Sequence, residues 1–156
     1  MNFLFLCTGN SCRSILSEAL FNAACPPNWH AYSAGSHPTG RVHAQTLAAL
    51  QATGIATAGL YSKAISDINA PIDVVITVCD AADAACPTFP RQALRAHWGL
   101  SDPSHGLPPD AVSEHSTAFC LTIARIQLRL QHLLAADFEH LSHDEQQACL
   151  DGIGLI

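Results

Sequence analysis

The run Cys7-Thr8-Gly9-Asn10-Ser11-Cys12-Arg13-Ser14 combines a thiol, small loop formers and a guanidinium within eight residues. It joins an apolar segment, Asn2 to Leu6, to a helical pattern. Such a loop, between a strand end and a helix N-terminus, presents successive backbone N–H groups to an anion, and the helix dipole adds partial positive charge. Arg13 supplies a planar fork for two oxygens of a tetrahedral oxyanion. The same field stabilises a thiolate at the base of the loop, so Cys7 reads as a nucleophile aimed at the bound oxyanion. The blander alternative is a small apolar filler ending a buried strand. The five-residue spacing to Arg13 and the Gly9-Asn10 pair favour the nucleophile.

Cys79 follows the β-branched run Ile72 to Val78, and six residues separate it from Cys86. In a parallel sheet the carboxyl ends of adjacent strands share one edge, so Cys79 can lie close to Cys7. A second thiol beside a nucleophilic one permits a disulfide, and a third can pass the oxidation outward. Two unrelated core thiols, or a zinc pair, are the alternatives. Zinc ligands usually lie two to four residues apart, and His97, between Ala96 and Trp98 in an expected strand, reads as structural.

The elements that must position these groups alternate between short apolar runs and helical patterns, the order of a parallel sheet covered on both faces. Strands are expected at Asn2–Leu6, Trp29–Ser33, Ile72–Val78 and, at an edge, Ala93–Trp98. Ser14 is a candidate cap for a helix that carries Leu16, Ala19, Leu20 and Ala23 on one face and ends at Pro26-Pro27. A second helix runs from about Arg41, with Val42, Thr46, Leu47 and Leu50 inward, to Gly54. Cys79 to Pro90 is expected to be a mobile loop or a short, weak helix. Past Asp102-Pro103 and Pro108-Pro109, a long helix from about Asp110 to Ala136 spaces Phe119, Ile123, Ile126, Leu130 and Leu133 by four, three, four and three. A last helix, Ser142 to Leu150, opens with Ser142 and Glu145 at capping-box spacing.

The 156 residues, 49% of them apolar, suffice for one domain spanning 1–156 without disulfide staples. Seven Lys and Arg against thirteen Asp and Glu leave a formal charge of −6, which argues against nucleic acid as a partner. No apolar stretch is long enough for a bilayer, so no membrane partner is expected, and the N-terminus lacks a basic export region. Seven cysteines without an export signal indicate thiols kept reduced in the cytoplasm.

The octet at Cys7 to Ser14 closely resembles the phosphate loop of the low-molecular-weight protein tyrosine phosphatases, a Cys, five residues, then Arg-Ser. Cys79 to Cys86, followed by His97-Trp98-Gly99 and Asp102-Pro103, extends the likeness to about residue 103, toward the thioredoxin-coupled arsenate reductases of that family. The resemblance implies a flavodoxin-like three-layer α/β fold, a four-stranded parallel sheet of order 2-1-3-4 with helices on both faces. It implies arsenate reduction to arsenite through a Cys7 adduct and a Cys7/Cys79/Cys86 relay, with Thr8, Gly9, Asn10, Ser11, Cys12, Arg13 and Ser14 holding arsenate or phosphate. Asp102 matches the general acid, although an Asp-Pro turn is also consistent with it. Ser14 matches the hydroxyl on the nucleophile's sulfur and Asn10 the residue that shapes the loop; both types also cap helices and form turns.

No organic or metal cofactor is implied, only an external thiol reductant, either thioredoxin or glutathione with glutaredoxin. Part of the family holds a potassium ion behind the loop, and the matching positions are Asn10, Glu18, Ser33 and the region of Ser62. Lys63-Ala64 stands where potassium-binding members carry a neutral residue and an aspartate, so the Lys63 ammonium is expected to substitute for the ion. A phosphatase of aryl phosphates is the alternative enzyme; against it, Ser104 follows Asp102-Pro103 where the phosphatases place an aromatic. A non-enzymatic oxyanion-binding module needs neither Asp102 nor Cys86. Cys12 reads as structural, with a protective Cys7/Cys12 disulfide conceivable under oxidation. Cys25, Cys120 and Cys149 read as packing or surface residues, and His140 and His143 as polar surface.

Overall fold

In the computed structural model, residues 1–84, 93–105 and 112–156 are described, the side chains of 112–115 excepted. Cys86, Pro90, Pro108-Pro109 and Asp110 therefore lie outside the described residues. Four parallel strands, Asn2–Cys7 (β1), His30–Gly35 (β2), Val74–Thr77 (β3) and Leu94–His97 (β4), form one sheet of order β2-β1-β3-β4, as expected. Strand β1 pairs on both sides, Leu6 with Ala34 and with Thr77, and its side chains are buried from Phe3 to Cys7. A central parallel strand needs apolar residues on both faces, which the unbroken Phe3-Leu4-Phe5-Leu6-Cys7 provides.

The helices are Arg13–Ala24 (α1), Ala44–Ala52 (α2), Asp80–Ala84 (α3), Val112–Ala135 (α4) and His143–Gly154 (α5). Alternate side chains of β1 divide between two cores. Phe3, Phe5 and Cys7 join Leu16 and Leu20 of α1 and Phe119, Ile123, Ile126, Leu130 and Leu133 of α4. Leu4 and Leu6 join Val75 and Ala34 in a smaller cluster covered by Ile65, Ile68 and Ile72 around the 3-10 turn Ile65–Asp67. Every apolar position read from the spacing of α4 is buried.

Three local expectations are corrected. Ser14 does not cap α1: Cys12 is the N-cap residue, without a side-chain cap bond, and Ser14 lies inside the first turn, fully buried. Ala23 faces solvent, because α1 meets the sheet chiefly through Leu16, Ala19 and Leu20. Helix α2 starts at Ala44, not near Arg41, because the His43 ring accepts from the Gln45 amide and caps it; Val42 and Leu47 are only partly buried. Ser142 and Glu145 form the expected capping box, and α5 continues four residues past Leu150 to Gly154.

Helix α5 packs on edge strand β4. The Gln147 amide donates to the Arg95 carbonyl at 2.6 Å and accepts from its N–H at 3.3 Å, occupying hydrogen-bonding groups that an edge strand otherwise exposes. Trp98 Nε1 donates to the Leu150 carbonyl, which ties the residue after β4 to the same helix.

Candidate active site

The loop from Thr8 to Cys12 leaves β1 at the carboxyl edge of the sheet and closes at the start of α1. Its carbonyls turn outward onto the segment after β2. His37 N donates to Thr8 O, Thr39 N to Gly9 O and His43 N to Ser11 O, each at 2.9 Å, and the Thr46 hydroxyl adds a 3.0 Å bond to Ser11 O. In a planar trans peptide, an outward carbonyl directs the following N–H inward. The amides of Gly9, Asn10 and Cys12 are thus aimed into the loop, the cradle anticipated from the small residues. Gly35, at the end of β2, makes this approach possible: a Cβ there would lie 2.6 Å from Thr8 O.

Cys7 ends β1 with its sulfur almost fully buried. It accepts from the Asn10 amide at 3.1 Å and contacts Ser14 Oγ at 2.9 Å. Ser14 Oγ in turn accepts from Asn10 Nδ2 at 2.9 Å, so the serine proton is free to point at the sulfur. Two donors converging on one sulfur suit a negatively charged thiolate. Asn10 itself has φ 43°, a left-handed conformation that asparagine tolerates better than most residues. Its side chain fixes that conformation: Oδ1 accepts from Lys63 N at 2.8 Å, and Nδ2 also donates to Ser33 Oγ at 2.9 Å.

Behind Asn10 lies an ion pair. Lys63 Nζ is 3.1 Å from Glu18 Oε2, with side-chain exposures of 5% and 12%. The ammonium also donates to Ser33 Oγ at 3.4 Å and Tyr61 O at 3.3 Å, and sits 4.6 Å from the centre of the Tyr61 ring. Ser33 donates to Glu18. Asn10, Glu18, Ser33 and Lys63 are therefore brought together, whereas Ser62 is not among them: its hydroxyl donates to Gly9 O at 3.2 Å. Oxygens of Glu18, Ser33 and Tyr61 thus surround the buried Lys63 ammonium.

Arg13 Nη2 lies 2.9 Å from Asp102 Oδ2, and Nη1 donates to Leu100 O at 3.1 Å. Burial pushes the Asp102 carboxyl up, but the Ser104 hydroxyl at 2.7 Å, the Ser104 amide at 3.0 Å and the Arg13 guanidinium outweigh it and hold the group below the ordinary aspartate value. Asp102 is thus an anion in the free site. Arg129, buried in α4, holds the same loop from behind, donating to the carbonyls of Trp98 at 2.8 Å, Gly99 at 3.2 Å, Gly154 at 3.0 Å and Ile156 at 3.1 Å.

Cys79 follows β3 and is buried, with its sulfur 3.5 Å from Thr8 Oγ1. The second thiol therefore lies against the loop residue next to Cys7, and α3 starts at the following position. Cys12 has a different character: burial pushes its thiol up to about 12, so it stays protonated at neutral pH. Cys25 and Cys149 are partly buried, Cys120 is exposed, and the cysteines among the described residues are free thiols. No group of three or more His, Cys, Asp or Glu side chains arranged to hold a metal occurs among the described residues. No helix there is long and apolar enough to cross a membrane.

Sequence reasoning missed Gly35, the segment from His37 to Thr46, and Arg129. The signals available were weak: one glycine after a strand, a polar loop, and an arginine at an inward position of α4.

The Low molecular weight phosphotyrosine protein phosphatase family model matches residues 2–147. Arsenate reductase 1 of Staphylococcus epidermidis is 39% identical over 101 residues, which is 64% of this chain and 76% of that protein. The arsenate reductase structure from Archaeoglobus fulgidus superposes with a TM-score of 0.67 at 27% identity, covering 85% of this chain and 98% of that one. A thioredoxin-dependent arsenate reductase from Corynebacterium glutamicum gives 0.65 at 25% identity, over 86% of this chain and 60% of that one. The cysteine-centred loop on a 2-1-3-4 parallel sheet and the match across nearly the whole sequence lead to one conclusion: the chain belongs to the low molecular weight phosphotyrosine protein phosphatase family.

Proposed function

We propose that this protein reduces arsenate to arsenite with thiols as the electron source. The observation that carries the reading is the burial of Cys79 against the phosphate-type loop, 3.5 Å from the Thr8 hydroxyl. A phosphatase has no use for a thiol there, and relatives 39% and 41% identical carry the name arsenate reductase.

The Cys7 thiolate attacks arsenic, forming an As–S bond while an As–O bond breaks. The departing oxygen takes a proton from Asp102 and leaves as water. The loop amides and Arg13 hold the remaining oxygens. Cys79, as thiolate, then attacks Cys7 Sγ. A Cys7–Cys79 disulfide forms, and the As–S electron pair passes to arsenic, which leaves as arsenite after proton uptake. Two thiols have lost two electrons, and arsenic has gone from the +5 to the +3 state. Cys86 attacks Cys79, frees Cys7 and leaves a Cys79–Cys86 disulfide for an external dithiol such as thioredoxin to reduce. The Lys63 ammonium takes the place of a potassium ion in supporting Asn10.

Arsenate-dependent NADPH consumption with thioredoxin and its reductase tests the reading. Turnover that disappears in Cys79→Ser and in Cys86→Ser supports the relay. Absence of reduction with either thioredoxin or glutathione and glutaredoxin, alongside aryl phosphate hydrolysis that survives Cys79→Ser, makes the protein a phosphatase. Oxyanion binding without turnover of either kind makes it a binding module.

A further inference from the structure

We propose that His97 is a positioning residue for Cys79: its imidazolium form latches α3, the helix that begins one residue after Cys79, and the latch opens as the ring loses its proton. The consequence for catalysis rests on the relay reading above; the latch itself rests on geometry alone.

Protons can be assigned around the ring. Thr77 Oγ1 lies 2.7 Å from Asp83 Oδ1 and 2.9 Å from His97 Nδ1. A carboxylate only accepts, so the single Thr77 proton goes to Asp83, and Nδ1 must donate to the threonine oxygen. His97 Nε2 faces Asp80 Oδ1 at 3.2 Å, again an acceptor. That contact is an ion pair only if Nε2 also carries a proton. A ring protonated on both nitrogens donates to Thr77 and pairs in charge with Asp80, whereas a neutral ring turns a lone pair toward that carboxylate.

The charged groups paired with the ring among the described residues are Asp80 and Asp83, both on α3, with Asp83 Oδ1 3.9 Å from Nδ1. From β3 the neighbour is the neutral Thr77. From α5, Gly154 approaches the His97 carbonyl rather than the ring. Gly99 leaves room for the imidazole, since a Cβ there would lie 2.8 Å from Nε2.

Helix α3 has five residues, too few to be stable alone. Besides the buried Ala82, its anchors are Asp83 on Thr77 and Asp80 on His97. The amides of Ala82 and Asp83 both donate to the Cys79 carbonyl at 3.1 Å. Whatever holds α3 against the strand ends therefore holds the backbone of Cys79, and with it the sulfur beside Thr8. The Cys79 attack on Cys7 needs that hold; the later attack on Cys79 from the chain beyond α3 needs it relaxed. An imidazole that gains or loses one proton changes its charge beside Asp80 and can supply both states.

Hydrogen exchange of the Ala82 and Asp83 amides, corrected for intrinsic rates, tests the latch in the full chain. Protection about two- to fivefold higher at pH 5.5 than at pH 8 is expected, the range of a solvent-exposed ion pair. The difference should vanish in His97→Asn and in Asp80→Asn, whose side chain lies in solvent. Ring nitrogen NMR should find both nitrogens protonated at pH 5.5. A neutral His97 ring at that pH, or protection whose pH dependence survives His97→Asn, would overturn the latch. For the positioning role, Cys7–Cys79 disulfide formation is followed in a single turnover with arsenate in a Cys86→Ser background. The ratio of rates with and without His97 should be two- to fivefold at pH 5.5 and about one at pH 8. A ratio that does not change with pH overturns the assignment to Cys79. Absence of arsenate-dependent disulfide at every pH, with the exchange pattern intact, overturns the relay reading and leaves the latch standing.

Discussion

Arg13 Nη2 and Asp102 Oδ2 stand 2.9 Å apart, so the guanidinium that should grip the oxyanion is held, in the free site, by the carboxylate that should protonate the leaving oxygen. The pair explains how Asp102, an anion at rest, gains a proton. A bound oxyanion draws the Arg13 fork to itself and places negative charge beside Asp102, and both changes raise the affinity of that carboxyl for a proton. Asp102→Asn removes Arg13's competing anion as well as the acid. The expected outcome is turnover reduced about a hundredfold or more, with arsenate or phosphate bound at least as tightly. Titration calorimetry beside steady-state kinetics measures both.

Because Asp102 is held below the ordinary aspartate value, its contribution to folding is present above the unfolded-state value of 3.8 and is lost as pH falls through the lower folded one. Acid unfolding of the native chain should therefore take up more protons than that of Asp102→Asn. Matched urea denaturation series between pH 5 and 3 make the comparison.

The raised Cys12 thiol acts in the opposite pH range. Between its unfolded value of 9.0 and about 12 the unfolded chain releases a proton that the folded chain keeps, so stability falls as pH rises. The native chain should lose up to about 1.4 kcal/mol more per pH unit than Cys12→Ala across this interval. Equal slopes in chemical denaturation at pH 9.5 and 10.5 would remove the basis for calling Cys12 an inert, protonated thiol.

Lys63 and Glu18 form a buried pair, and removing one member strands the other. Lys63→Met should cost about 3–5 kcal/mol. Potassium should leave the melting temperature and turnover of the native chain flat, while Lys63→Ser, which reopens the oxygen-lined space, should be stabilised by potassium more than by sodium. A clear rise with potassium in the native chain would show that the ammonium does not replace the ion.

Arg129 joins the carbonyls of Trp98 and Gly99 to those of Gly154 and Ile156. Arg129→Met leaves buried acceptors without donors and should destabilise the fold by about 3 kcal/mol. It should also raise backbone mobility at 98–102, read by NMR relaxation, with less effect at α1.

The strands and the long α4 were legible because both are written in apolar patterning: β1 is an unbroken apolar run, and every inward position of α4 read from spacing is buried. The strand order was expected from the family resemblance alone. The cradle was legible because its function demands a cysteine, small loop residues and an arginine within one octet. Ser14 was misread as a cap because the preference of serine for helix starts is local, whereas its hydroxyl is claimed by Cys7 across the loop. Helix α2 was read too long because its cap is a histidine ring, a residue with no strong capping preference.

By itself the sequence determined the strand–loop–helix that carries Cys7 and Arg13 and the order of elements, since these depend on residue type and on spacing along one segment. Only the tertiary structure decided that Lys63 rather than Ser62 meets Glu18 and Ser33, that Arg13 is paired with Asp102 across 89 residues, and that His97 faces Asp80. Those contacts join residues far apart in the chain or set by side-chain direction at the strand ends, and neither periodicity nor local propensity carries that information.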